Sequence, residues 1–184
     1  MSEVKTNKVS SLATNNNLVI DPNGTGLFLP NRTPCFFAEL SADQTGVVDA
    51  TETVVQFDNE DFDIGGIWND STYRLVVDAN TLGYYFLSCY LLTQTTDTSA
   101  DQYIRLRKNG TVYVENYAKA AMVNGASDTT ASLSFNTVIP LTTSGDYADV
   151  TIYSDVANSG TTNINQISAT RTRTYISGFR MGGA

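Results

Sequence analysis

The stretch "LGYYFLSCYLLTQ", beginning at Leu82, carries ten consecutive apolar, aromatic or small residues after its leucine, and the next charge along the chain is Asp97. A strand with one face in water alternates apolar with polar side chains. This one does not, so both of its faces need cover. It is also well short of the roughly 20 residues a bilayer-spanning helix needs. Protein must therefore cover it, and no membrane insertion is expected.

The rest of the chain is polar in an unusual way. Only 16% of the 184 residues are charged, and hydroxyl and amide side chains fill the deficit, a composition that suits strands and turns better than helices. The net charge of -8 leaves no basic stripe to neutralise phosphates, so nucleic acid is not an expected partner. Histidine is absent, which removes the commonest proton shuttle and metal ligand. No cofactor or metal is expected. The two cysteines, Cys35 and Cys89, lie in "TPCFFAEL" and "YFLSCYLL", surroundings that suit small buried hydrophobes with free thiols, although a single bridge stays open.

Residues 1–31 form a separate arm and residues 32–184 a head domain. The arm has too little apolar surface to offset its own ordering entropy. It contains no apolar run of the signal-peptide type, so a cytosolic product is expected, with the Asn-X-Ser/Thr sequons at Asn23, Asn31, Asn69 and Asn109 serving as unmodified turns.

From Pro34 onward, short strand-like runs are separated by turn signals, as in a sandwich or barrel. "CFFAEL" is read as one strand, "TVVQFDNEDFDIGG" as a second with its turn, then "TYRLVVD" and "GYYFLSCYLLTQ". In "YIRLRKNGTVYVENY" the dipeptide Asn109-Gly110 between two alternating runs predicts a hairpin. A two-residue turn there pairs Leu106 with Tyr113 and Ile104 with Glu115, with Arg105, Arg107, Val112 and Val114 on the wet face. Two strands flank "TTSGD", and a last one closes the chain after the alternation of Thr170, Thr172 and Thr174 with Arg171 and Arg173. "ENYAKAAMVNGASD", broken by Gly125, reads as a loop or a single helical turn. About eight strands are expected.

The order of these motifs resembles the globular head of complement C1q and its tumour-necrosis-factor-like relatives, from Pro34 to Met181. The parts are "PCFFAEL", "VQFDNEDFDIGGIW", "YRLVVDANTLGYYFL" with its Gly-x-Tyr, "LRKNG", "TSGDYADVTIY" and "YISGFRM". Leu87 stands where the family usually has Phe, and Ala148 interrupts its Gly-Asp-x-Val strand, so only the scaffold is carried over. The resemblance implies an all-β jelly roll of about eight to ten antiparallel strands that assembles as a homotrimer around a three-fold axis. Tyr85, Leu87, Cys89 and Leu91 would then face the sandwich interior. Tyr84, Phe86, Ser88, Tyr90 and Leu92 would face neighbouring copies, and Tyr84, Phe86, Tyr90 and Leu92, with Tyr175 and Phe179 of the closing strand, are the trimer-interface candidates. The alternative is a central strand wholly buried in a monomer.

The arm, "SEVKTNKVSSLATNNNLVIDPNGTG", is similar to the starts of tailed-bacteriophage fibre and appendage proteins. That likeness implies a virion location, with Val4, Val9, Leu18 and Ile20 as anchoring candidates against capsid or tail proteins. The expected role is a trimeric head or tail fibre touching a host surface glycan or protein. Capsid decoration and a cellular ligand or adhesion module of the same fold are the alternatives.

No catalytic residues are assigned. The acidic cluster Asp58, Glu60, Asp61 and Asp63 lacks the layout of a calcium loop, and glycosidase carboxylates cannot be recognised by sequence spacing. Solvated loop, cation site and catalysis all stay open for it. Trp68, with Asn69 and Tyr73 nearby, reads either as a ligand-contact platform or as core filler. The polar loops "TQTTDTSAD", "NGASDTTAS" and "SDVANSGTTN" suit weak hydrogen bonding that trimerisation would multiply, or are plain connectors.

Overall fold

The computed structural model describes residues 33–96, 99–121, 129–156, 160–166 and 174–182, all within the compact unit Arg32–Ala184. The anchoring candidates Val4, Val9, Leu18 and Ile20, and the alternating residues 170–173, lie outside the described residues. Among those described there is no helix.

Thirteen strands are present among the described residues: β1 (Cys35–Glu39), β2 (Gln44–Val47), β3 (Thr53–Val54), β4 (Asn59–Ile64), β5 (Trp68–Asn69), β6 (Arg74–Val76), β7 (Gly83–Thr95), β8 (Ser99–Lys108), β9 (Thr111–Ala121), β10 (Thr129–Leu141), β11 (Tyr147–Val156), β12 (Thr162–Ile164) and β13 (Tyr175–Gly182). They form two antiparallel sheets. In the first, β10 runs along one whole edge of β7, while β13 and β12 share the other edge; β1 and then β4 lie beyond β13, and β2 beyond β12. In the second, the order is β5-β6-β11-β8-β9, with β3 beside β6 on the same edge of β11. This is an all-β jelly roll.

The sheets enclose one main core. Tyr85, Leu87, Cys89 and Leu91 of β7 are buried, as are Leu133, Phe135 and Ile139 of β10, facing Ile104, Leu106, Val150 and Ile152 of the other sheet. Tyr85 donates its hydroxyl to the Thr81 carbonyl inside this core. Burial, only partly offset by nearby Arg180, pushes its pKa up to about 12.

Two expectations about the strands are corrected. "TVVQFDNEDFDIGG" is not one strand: β3 pairs with β11 in the second sheet and β4 with β1 in the first. Val55 and Phe57 are buried where the chain crosses between sheets, and this crossing breaks the pairing. The first half of "ENYAKAAMVNGASD" is not a loop or helical turn, because residues to Ala121 continue β9.

The Asn109-Gly110 hairpin forms, with φ of 51° and 80° at its two central residues, the positive pair that its tight turn requires. Its register departs from the expected one. Leu106 faces Val114 and Ile104 faces Asn116, because a bulge follows the Arg107–Val112 pair. Tyr113 is the extra residue. Its hydroxyl donates to the Val138 carbonyl on β10 at 3.2 Å, and Val114 packs against the core instead of facing water.

Candidate functional site

β7 answers the question its sequence poses. Successive strand residues point to opposite faces, and the Tyr85 side is buried in the sandwich. On the other side Tyr84 is 49% exposed, and Phe86, Ser88 and Tyr90 are part-covered. Leu92 departs from the expectation. It shares that parity but is only 8% exposed within one protomer, so no second copy is needed to cover it. Its backbone is flanked by Thr174, whose Oγ1 accepts the Leu92 N–H, and by Asn165, whose N–H donates to the Leu92 carbonyl.

Register turns this face into rows. Val138, Phe86, Phe179, Cys35 and Ile64 line up across five strands, and the next row holds Asn136, Ser88, Ser177, Phe37 and Phe62. The third row is more polar, with Ser134, Tyr90, Tyr175 and Glu39. Ring centroids lie 5.4 Å apart for Phe86 and Phe179, 5.3 Å for Phe37 and Tyr175, and 6.4 Å for Phe37 and Phe62. Five of the six interface candidates thus share one outward surface. Sequence reasoning missed Phe37, Phe62, Ile64 and Val138. The alternation in "CFFAE" and "DFDI" was the available signal, but which of its phases faced outward depends on the sheet order.

The outward face of the second sheet is built differently. Arg107 donates Nε and Nη2 to Asp149 at 2.7 and 2.9 Å, and Arg74 Nε reaches the same carboxylate at 3.2 Å. Arg105 pairs with Glu115 at 2.6 Å and with Glu52 at 3.7 Å. Its hydrogen bonds to Asp149 hold the Arg107 guanidinium above its ordinary pKa. Ion pairs thus close the Arg74, Arg105 and Arg107 part of this face, whereas the outward face of the first sheet carries no such network among the described residues.

The remaining candidates fall elsewhere. Trp68 takes its core alternative: it is 7% exposed, stacked on Phe36 at 4.8 Å and edge-on to Phe57 at 6.3 Å, so its ring faces are unavailable to a ligand. Asn69 is exposed, but its Oδ1 accepts the N–H groups of Ser71 and Thr72 and closes a local turn. Tyr73 is half-buried in that turn with φ of 58°. Asp58 accepts both the Ser41 N–H and its hydroxyl, and Asp63 Oδ2 accepts the Trp68 N–H. Glu60 is held above the ordinary carboxylate range by desolvation and by its neighbours Asp63 and Asp70. Among the described residues, no group of three His, Cys, Asp or Glu side chains converges to hold a metal ion. Cys89 is buried in the core, where desolvation pushes its thiol pKa well up. Cys35, part-covered, lies on the outward face of the same sheet, so both thiols are free.

No protein-family sequence pattern matches this chain, and no curated protein matches it. Solved structures do. The globular domain of zebrafish complement 1qA protein superposes with a TM-score of 0.49 at 14% identity, over 82% of this chain and 99% of that one. The structure of Eiger TNF from S. frugiperda gives 0.50 at 10% identity, over 83% and 93%. Identity this low speaks for architecture alone: residues 32–184 form a jelly roll of the kind seen in the Eiger TNF structure.

Proposed function

We propose that the protein is a non-enzymatic binding and structural module that works as a homotrimer, with the ring-bearing face of the first sheet turned toward the three-fold axis. The observation carrying this is the cluster of packed, outward rings on the first sheet, Phe37, Phe62, Phe86, Tyr175 and Phe179. Covering the exposed half of an aromatic ring removes on the order of 100 Å² from water, or about 2.5 kcal/mol before entropy costs. Several such rings on one sheet favour a shared interface, whereas much of the second sheet's outward face is occupied by the Arg74, Arg105 and Arg107 ion pairs.

The particle we propose for it is a tailed-bacteriophage virion, where the arm of residues 1–31 binds capsid or tail proteins and the head projects as a short fibre toward the host surface. The arm's likeness to fibre and appendage starts supports this, as does a head that can multiply weak contacts threefold. Mass photometry of the full chain tests the assembly: a trimer is expected at nanomolar to micromolar concentration, and a monomer throughout would overturn it. Cosedimentation with particles lacking the protein tests the anchoring. The full chain should bind and a chain without residues 1–31 should not; equal binding by both would remove the arm's role.

A further inference from the structure

The second sheet carries one feature that its ion pairs do not explain. Tyr117 of β9, Tyr103 of β8 and Tyr153 of β11 stand directly opposite one another in the register. Their rings form a row across three strands, with centroids 5.0 Å apart for Tyr103 and Tyr117 and 5.9 Å for Tyr103 and Tyr153. Tyr117 is 48% exposed. Its hydroxyl donates to Asp101 Oδ1 at 2.6 Å, while among the described residues the Tyr103 and Tyr153 hydroxyls have no partner. The next row outward sets Asp155 directly opposite Asp101. Like charges in opposed positions destabilise a sheet. Lys119 reaches Asp101 at 3.5 Å, but Asp155 has no partner among the described residues. On the other flank the Arg105 guanidinium lies 5.6 and 5.3 Å from the Tyr103 and Tyr153 ring centroids.

We infer that this tyrosine row, with Asp101 and Asp155 beside it, is a binding surface for a neutral oligosaccharide. Two strand spacings, about 10 Å, set its length, enough for two or three sugar rings. A stable protein interface needs roughly 800 Å² per partner, far more than three part-covered rings offer. Arg105 is neutralised by Glu115 and Glu52, and Lys119 is paired with Asp101, so among the described residues beside the row no cation is left unpaired to select an acidic glycan. What remains matches a sugar: aromatic carbon for its C–H faces, two free phenols, and carboxylate oxygens to accept its hydroxyl protons. The inference rests on reading the head as a binding module but not on its trimeric state.

Saturation-transfer NMR on the full chain with maltotriose, cellotriose and chitotriose tests it. Transfer to the ring C–H protons of at least one probe is expected at millimolar concentration, reduced at least fivefold in Tyr117→Ala and in Asp155→Asn, with circular dichroism and oligomeric mass unchanged. No transfer to any of the three, or transfer undiminished in both variants, would overturn it. Because mass is measured in parallel, a monomer that still binds through Tyr117 defeats the trimer and leaves the sugar surface standing; a trimer that binds none does the reverse.

Discussion

Phe86 and Phe179 face each other across the β7–β13 pair, their ring centroids 5.4 Å apart on the outward side of the first sheet. Phe179 is 47% exposed, so its substitution perturbs the sandwich interior little. Phe179→Glu should therefore leave the strand signal in circular dichroism of the protomer intact, while any stability the trimer adds is lost. Sedimentation velocity should nevertheless show protomers in place of trimers, because a charge would be trapped against apolar neighbours. A variant that sediments as wild type would place the assembly surface elsewhere.

Gly178, next to Phe179 on β13, packs directly against the core. A Cβ there would overlap Leu87 Cδ2 and lie 2.9 Å from both Phe36 Cε1 and the Phe86 carbonyl oxygen. Gly178→Ala should cost about 1–3 kcal/mol through overpacking, read as a lower midpoint in urea at unchanged slope. Gly182→Ala is the matched control. Nothing lies within 4 Å of that added carbon, and its effect should stay within about 0.5 kcal/mol.

The same pair of strands shows what the sequence could reveal. The two faces of β7 were legible from Tyr84 to Leu91, because a period of two needs only one anchor: once Tyr85 is inside, Phe86 is out, but the pattern fails at Leu92, which the protomer itself buries. The hairpin at Asn109-Gly110 was legible through its turn, yet its register was not. Tyr113 leaves the ladder to bond with β10, a contact set by tertiary packing. The crossing between β3 and β4 was hidden for a similar reason, since Val55 and Phe57 continue an apolar pattern while the chain changes sheets. Trp68 packs against two rings, Phe36 and Phe57, and no local signal separates that role from a surface platform. The tyrosine row was the least legible. Tyr103, Tyr117 and Tyr153 come together only through the register of three strands.

Asp149 is fully buried on the second sheet, while its partners Arg107 and Arg74 keep 16% and 35% of their side chains exposed. Asp149→Ala removes both partners' shared carboxylate and leaves Arg107 with Glu52 at 3.6 Å as its remaining ion pair. Breaking a buried pair from one side typically costs about 3–5 kcal/mol. Partial exposure of the arginines and the Glu52 contact set the expectation at the low end, about 3 kcal/mol. Chemical unfolding of the single variant measures it. A loss below about 1 kcal/mol would mean the network is solvated enough to be dispensable.

Acid should unfold the head through a small set of carboxylates. Burial works to raise the Asp146 pKa, but it is outweighed by hydrogen bonds from Asn109 and the Thr143 N–H and by Lys108, so the net shift is downward. Asp78 is lowered by its Thr81 and Asn80 hydrogen bonds, and Asp101 by Tyr117 and Lys119. A depressed folded pKa gives stability that is present above the unfolded value, near 3.9, and lost as pH falls through the folded one. Glu60, shifted upward, acts with the opposite sign and relieves strain on protonation. Thermal midpoints should therefore hold through mild acid and then fall below about pH 4. Asp146→Asn should lower the midpoint at pH 7, and its midpoint should fall less than that of the wild type between pH 5 and pH 2. Parallel pH profiles for the two proteins would exclude Asp146 as a source of the acid sensitivity.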